Sequence, residues 1–206
     1  VIIGAIISLI ASMNVKSTFN RYDKYNSRSG LTGAMAAQEI LRAAGITNVR
    51  IERVSGNLTD HYSPKEGVLR LSDSVYNSTS VAAIGVAAHE CGHAIQHNVN
   101  YAPLNIRSAI VPVANIGSSL SWPIFLLGLI LSIPALTTVG IVLFSLAVLF
   151  QLVTLPVEFN ASRRAIKILG ESNLLYPDEL SGTKKVLTAA ALTYVAGAAS
   201  AILQLL

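Results

Sequence analysis

Charge is what this sequence has least of. Only 13% of its 206 residues are Asp, Glu, Lys or Arg, against roughly 25% in an ordinary soluble domain. The shortage is uneven. No charged residue occurs from Val1 to Val15, from Ser108 to Val157, or from Val186 to Leu206. Those stretches are excluded as ordinary water-facing surface. Cysteine is nearly absent too. The single Cys91 rules out an intrachain disulfide and is compatible with a reducing compartment. No basic run is interleaved with aromatics, and bases mix with acids wherever charge occurs. The net charge of +4 therefore does not indicate a nucleic-acid partner. Internal repeats and low-complexity linkers are also missing.

The charge-free runs point to a lipid bilayer. A spanning helix needs about 20 mainly apolar residues. The run 108–157 can hold two spans and a turn, and 186–206 can hold one. The run 1–15 is short, and the chain lacks an initiator Met. We expect it to be the remainder of a first span. A cleaved signal peptide fits less well, because Met13-Asn14-Val15 is not a small-residue cleavage site. The expected spans are about 1–15, 109–133, 137–157 and 186–206, with Ser132–Thr138 and its Pro134 as the middle turn. Four spans put the two charged blocks, Lys16–Arg107 and Glu158–Lys185, on one side. All fifteen Lys and Arg residues lie in those blocks, so the positive-inside rule makes that side cytoplasmic.

The long polar block reads as a small α+β unit. Thr32 can cap a helix over 33–44 that Gly45 ends. Ile46–Val54 and Gly67–Leu71 carry strand-like residues, with Val49 and Ile51 alternating with Arg50 and Glu52. A small-residue helix capped by Ser80 then runs through His97. Its apolar stretch before His89 is short, which suits a buried core helix rather than a span.

That helix contains His89-Glu90-Cys91-Gly92-His93, the pattern H-E-x-x-H. Residues i and i+4 lie on one helix face about a turn apart, so two imidazoles can bind one ion. Neutral imidazole suits zinc. Glu90 sits about a third of a turn from His89, placed to act as general base on a water activated by the ion. The competing reading is a chance match on a core helix. A buried carboxylate between two histidines is costly without a partner such as a metal, which argues against it.

A catalytic zinc usually has three protein ligands. His97 lies roughly 12 Å along a continuous helix from His89. It is better read as an outer polar residue or a support for the ligands. His61 reads as a solvated loop histidine or as a donor to substrate. Cys91 points about 200° away from His89 and reads as a buried structural thiol. Glu158 is the strongest third candidate. It is the first charge after a long uncharged run, two residues past Pro156, where a carboxylate is costly unless paired or metal-bound. Position alone leaves open whether it binds metal or pairs with Arg163 or Arg164.

Five segments carry a resemblance: Leu31-Thr-Gly-Ala34, Leu58-Thr-Asp-His-Tyr62, Ala87-Ala-His-Glu-Cys-Gly-His93, Leu120-Ser-Trp-Pro123 and Leu155-Pro-Val-Glu-Phe-Asn-Ala-Ser-Arg-Arg164. In these the chain resembles the YugP-like neutral zinc metallopeptidases, bacterial membrane proteins with a gluzincin-type site. It is more distantly similar to the CAAX prenyl protease and HtpX-type peptidases. Those carry an E-F-x-A-D stretch whose Glu binds zinc. Glu158-Phe-Asn-Ala-Ser162 is similar, and this favours Glu158 as the third ligand. Ser162 stands where that pattern has Asp, so Ser162 or Asn160 would have to take over the support of a ligand histidine. The resemblance also implies an edge strand within Leu58–Leu71 for a substrate backbone.

The expected protein is a mainly α membrane protein with about four transmembrane helices. A gluzincin-like α+β catalytic unit is inserted between the first and second. The expected segments are 1–15 (first span), 16–107 (catalytic unit), 108–157 (transmembrane hairpin), 158–185 (segment with the third ligand) and 186–206 (last span). The expected function is zinc-dependent endopeptidase in the plasma membrane, acting at the cytoplasmic face on membrane or membrane-proximal protein substrates. His89, His93 and Glu158 would bind Zn2+, and Glu90 would be the general base. The alternatives are scission within the bilayer and a non-proteolytic metal-binding scaffold.

Overall fold

A computed structural model describes residues 2–206. In chain order the elements are α1 (Ile2–Tyr22), α2 (Gly33–Ala43), β1 (Arg50–Val54), β2 (His61–Ser63), β3 (Val68–Ser72), α3 (Asp73–Tyr76), α4 (Val81–Asn98), α5 (Ala102–Ile130), α6 (Pro134–Glu171) and α7 (Pro177–Leu205). They divide into two compact units.

The first unit gathers the chain up to Ala11, Ala102–Val157 and Thr193–Leu206. It is helical, and α5 and α6 form a hairpin joined by Leu131–Ile133. The expected turn at Ser132–Thr138 thus comes earlier and is shorter. Pro134 begins α6, the first helical position that proline favours. Ser132 takes a left-handed φ of 53°, while Ile133 N–H closes onto the Gly128 carbonyl at 2.9 Å. The hairpin is tight because its contacts are small residues. A Cβ on Gly117 would sit 2.6 Å from the Leu143 carbonyl oxygen, and one on Gly128 would sit 2.4 Å from Thr137 N. Small residues at such crossings are how helices pack where apolar burial gives no driving force.

Four helices, α1, α5, α6 and α7, are long and apolar enough to cross a membrane. In the most apolar 18-residue stretch of α5, 22% of residues are buried, and in that of α6 only 11%. Ile116, Leu120, Leu126, Leu129, Ile141 and Leu149 face outward. Apolar surface of that extent is not a feature of soluble monomers. All four helices extend past the charge-free runs. Hydropathy marks where apolar composition stops, while the helical backbone continues into the polar segments.

The second unit comprises Ser12–Tyr101 and Glu158–Leu192. Its sheet has the order β1-β3-β2, with β1 parallel and β2 antiparallel to β3. Leu69, Leu71, Ile40, Val75, Ile84, Leu169 and Val186 make a common core with the small residues of α4. Thr32 Oγ1 accepts from Met35 N–H at 3.2 Å, and Ser80 Oγ accepts from Ala83 N–H at 3.0 Å. Both expected caps are therefore made. Ser80 also donates to Asp23 at 2.6 Å, which ties the end of α1 to the start of α4. The strand expected over Ile46–Val54 begins only at Arg50. Gly45 has φ 69°, and Ile46 N–H bonds back to the Leu41 carbonyl at 2.9 Å. Ile46 thus closes the helix end instead of opening a strand.

Candidate metal centre

The centre forms where α4 crosses α6. A Cβ on Gly92 would lie 2.6 Å from the Ala161 carbonyl oxygen and 3.1 Å from Ala161 Cα. The two backbones touch there, and only a glycine permits it. Gly92 immediately precedes His93, and Ala161 lies one helical turn after Glu158. This contact therefore carries Glu158 to the two histidines. Gly92→Ala should lower the thermal unfolding midpoint, with a destabilisation of about 1–3 kcal/mol. A midpoint equal to wild type would show that the crossing can relax.

The histidine rings of His89 and His93 are edge to face, with centroids 4.8 Å apart. His89 Nε2 is 3.2 Å and His93 Nε2 is 3.5 Å from the same oxygen, Oε2 of Glu158. A tetrahedral zinc with ligand bonds of 2.0–2.1 Å separates its ligand atoms by about 3.3 Å. The two spacings match that tetrahedral edge. His89, His93 and Glu158 can together hold a metal ion, their ligand atoms all lying within 4.8 Å of one another. Glu158 is 2% and His93 9% exposed, so the pocket is dry enough to strengthen such bonds. Burial alone would lower the His93 pKa, but the hydrogen bond and charge of Glu158, with the charge of Glu90, hold it above the usual histidine value.

The outer nitrogens of both rings are engaged. His89 Nδ1 is 3.1 Å from Ser162 Oγ. His93 Nδ1 is 3.1 Å from Gln96 Oε1. Gln96 in turn donates to Asn160 Oδ1 at 3.0 Å, and Arg164 Nε donates to the same oxygen at 2.8 Å. The Arg164 guanidinium lies over the Tyr101 ring. With Nδ1 of each ring held by these groups, Nε2 of each ring faces Glu158. Of the two expected stand-ins for the Asp, Ser162 and Asn160, each is linked by hydrogen bonds to a different ring. Ser162 supports His89 directly, and Asn160 supports His93 through Gln96. Gln96 and Arg164 were missed in the sequence. The available signal was helical spacing, i+3 from His93 and i+4 from Asn160.

Glu90 is 8% exposed and has no hydrogen-bond or ion-pair partner among the described residues. His97 stands outside the metal group, and its Nδ1 is 2.9 Å from the Tyr62 hydroxyl. His61 is exposed on β2, with Nδ1 2.9 Å from the Thr59 carbonyl oxygen. Cys91 is buried, its thiol directed at the Ala37 carbonyl, and burial pushes its pKa up. It is a packed thiol, as expected.

Two histidines on α4 and a carboxylate from α6 thus form a group that could hold a metal ion, with Glu90 beside them on α4. The chain belongs to the family described as "Putative neutral zinc metallopeptidase", which it matches over residues 1–206. It is 48% identical over 200 residues to the "Putative membrane protease YugP" of Bacillus subtilis (strain 168), covering 97% of this chain and 89% of that protein. No solved structure matches the chain.

Proposed function

We propose that this protein is a membrane-embedded zinc-dependent endopeptidase. The observation that carries the reading is the buried His89–His93–Glu158 group with the unpartnered Glu90 on the same helix. His89, His93 and Glu158 would hold the zinc. When bound, zinc lowers the pKa of a water and polarises the scissile carbonyl. Glu90 takes the proton from the attacking water and returns it to the leaving nitrogen. Ser162 and the Gln96–Asn160–Arg164 chain keep the histidines oriented. A substrate backbone would pair with β2. That strand is one of the two edges of the sheet, and Tyr62 from it reaches His97 on the site helix. Extended peptides add to such edges through main-chain hydrogen bonds.

Glu158 is the first charge after the uncharged run. This supports a site near the membrane surface and substrates that are membrane proteins or segments delivered close to the bilayer. The charge distribution supports the cytoplasmic face. The test is metal removal. Purified full-length protein should contain one zinc per chain and cleave a panel of membrane-protein substrates. A chelator should abolish cleavage, and stoichiometric zinc should restore it. Cleavage that persists with less than a tenth of a zinc per chain would overturn the reading.

A further inference from the structure

We propose that a groove between α1 and α7 binds the phosphate headgroup of an anionic phospholipid. The groove lies within the second unit and has a volume of ≈ 630 Å³. Thr18 and Arg21 line it from α1, and Lys184, Lys185, Ala189 and Leu192 line it from α7. At its polar end the two helices approach closely, since a Cβ on Gly182 would lie 2.8 Å from the Tyr22 ring. From there α1 runs back towards Asn14 and α7 runs forward towards Leu192, so the helices are antiparallel along the groove.

Three observations select the ligand. The first is unneutralised charge. Arg21, Lys184 and Lys185 are exposed, and no carboxylate pairs with any of them among the described residues. The acids near them in the chain are committed elsewhere. Asp178 and Glu179 are held by Arg28, and Asp23 accepts from Ser80. Lys185 makes only a long approach to the Tyr22 ring, at 5.9 Å. The second is donor type. Three cations, with the hydroxyls of Thr18 and Ser181, offer donors that phosphate oxygens accept, and no carboxylate lines the groove to repel them. The third is polarity along the groove. Past Lys185 no charged residue occurs on α7, and none occurs on α1 before Lys16. The cations therefore stand at one end; away from them Ala189 and Leu192, beside the uncharged Asn14 and Thr188, begin the apolar end. A soluble phosphate has no use for that apolar end, whereas an acyl chain does. This inference rests on α1 and α7 crossing the bilayer and is independent of peptidase activity.

The test is lipid binding by the full chain in a neutral detergent, read by native mass spectrometry. Phosphatidylglycerol should bind the wild type at least tenfold more tightly than phosphatidylcholine. With each interfacial cation contributing as juxtamembrane bases do, R21Q/K184Q/K185Q should weaken phosphatidylglycerol about a hundredfold. Phosphatidylcholine binding should barely change. A matched loss of charge outside the groove, R42Q/R50Q/K65Q, should leave both affinities as in wild type. Circular dichroism and the unfolding midpoint report whether the triple variant folds. If it does not, K184Q and K185Q alone decide, each expected to weaken phosphatidylglycerol about fivefold. Equal binding of the two lipids, unchanged binding by the folded variants, or inorganic phosphate binding as tightly as the lipid would each overturn the proposal.

Discussion

Glu90→Gln is expected to reduce cleavage by ~10²–10⁴-fold, the usual worth of a positioned general base, while the zinc content stays at the wild-type level. The substitution keeps the shape of the side chain and removes only its ability to accept a proton as an anion. No hydrogen bond or ion pair in the described structure is lost with it, and burial of an amide at 8% exposure costs no more than burial of the carboxylate. The fold should therefore be intact. The metal group of His89, His93 and Glu158 does not include Glu90, so zinc should remain. Cleavage and metal content measured on the same preparation separate the two roles. A variant that cleaves at the wild-type rate would remove Glu90 from the chemistry. A variant that loses zinc would make it a ligand.

The parts of this site differed in how readable they were, for physical reasons. His89, Glu90 and His93 lie within one helix, and helical spacing alone puts the two imidazoles on one face. Glu158 lies far away in sequence. By position it stands out because a carboxylate beside a long uncharged run is expensive, which leaves open whether metal or arginine compensates it; the resemblance through Glu158-Phe-Asn-Ala-Ser162 is what favours metal. In the structure Arg164 bonds to Asn160, and the oxygen of Glu158 faces the histidines. Gly92 carried no visible signal, because a glycine inside H-E-x-x-H acquires meaning only when another backbone arrives. Here that backbone is Ala161. The same limit applied to β2. Three residues are too few for an alternation to register. The strand exists through its pairing with β3 and through Asp60, whose carboxylate accepts from Ser72 N–H and Oγ at 2.8 and 2.9 Å. The long helices were the reverse case. Their presence was plain from composition, but their ends were not, since helical hydrogen bonding continues through the polar segments of α6 and α7.

Glu158→Ala is expected to empty the metal site. Three protein ligands are the usual complement of a catalytic zinc, and two histidines at i and i+4 would remain. Zinc should fall from about one per chain to well below a tenth after dialysis, and cleavage should disappear with it. The variant also separates metal binding from simple structural support. Glu158 is 2% exposed and is the shared partner of His89 and His93. Its removal leaves two buried imidazole nitrogens facing a cavity and costs metal-free stability about 1–3 kcal/mol for the lost partner. Glu158→Gln fills the cavity and restores an acceptor, so it should recover most of that stability. It should not recover zinc, because a neutral amide is a poor substitute for an anionic oxygen ligand. The pair of variants therefore gives opposite readouts if Glu158 is a ligand: stability returns with Gln, and metal does not. Zinc bound at wild-type affinity in Glu158→Gln, with cleavage intact, would reduce Glu158 to a hydrogen-bond acceptor for the histidines and leave the third ligand to another group.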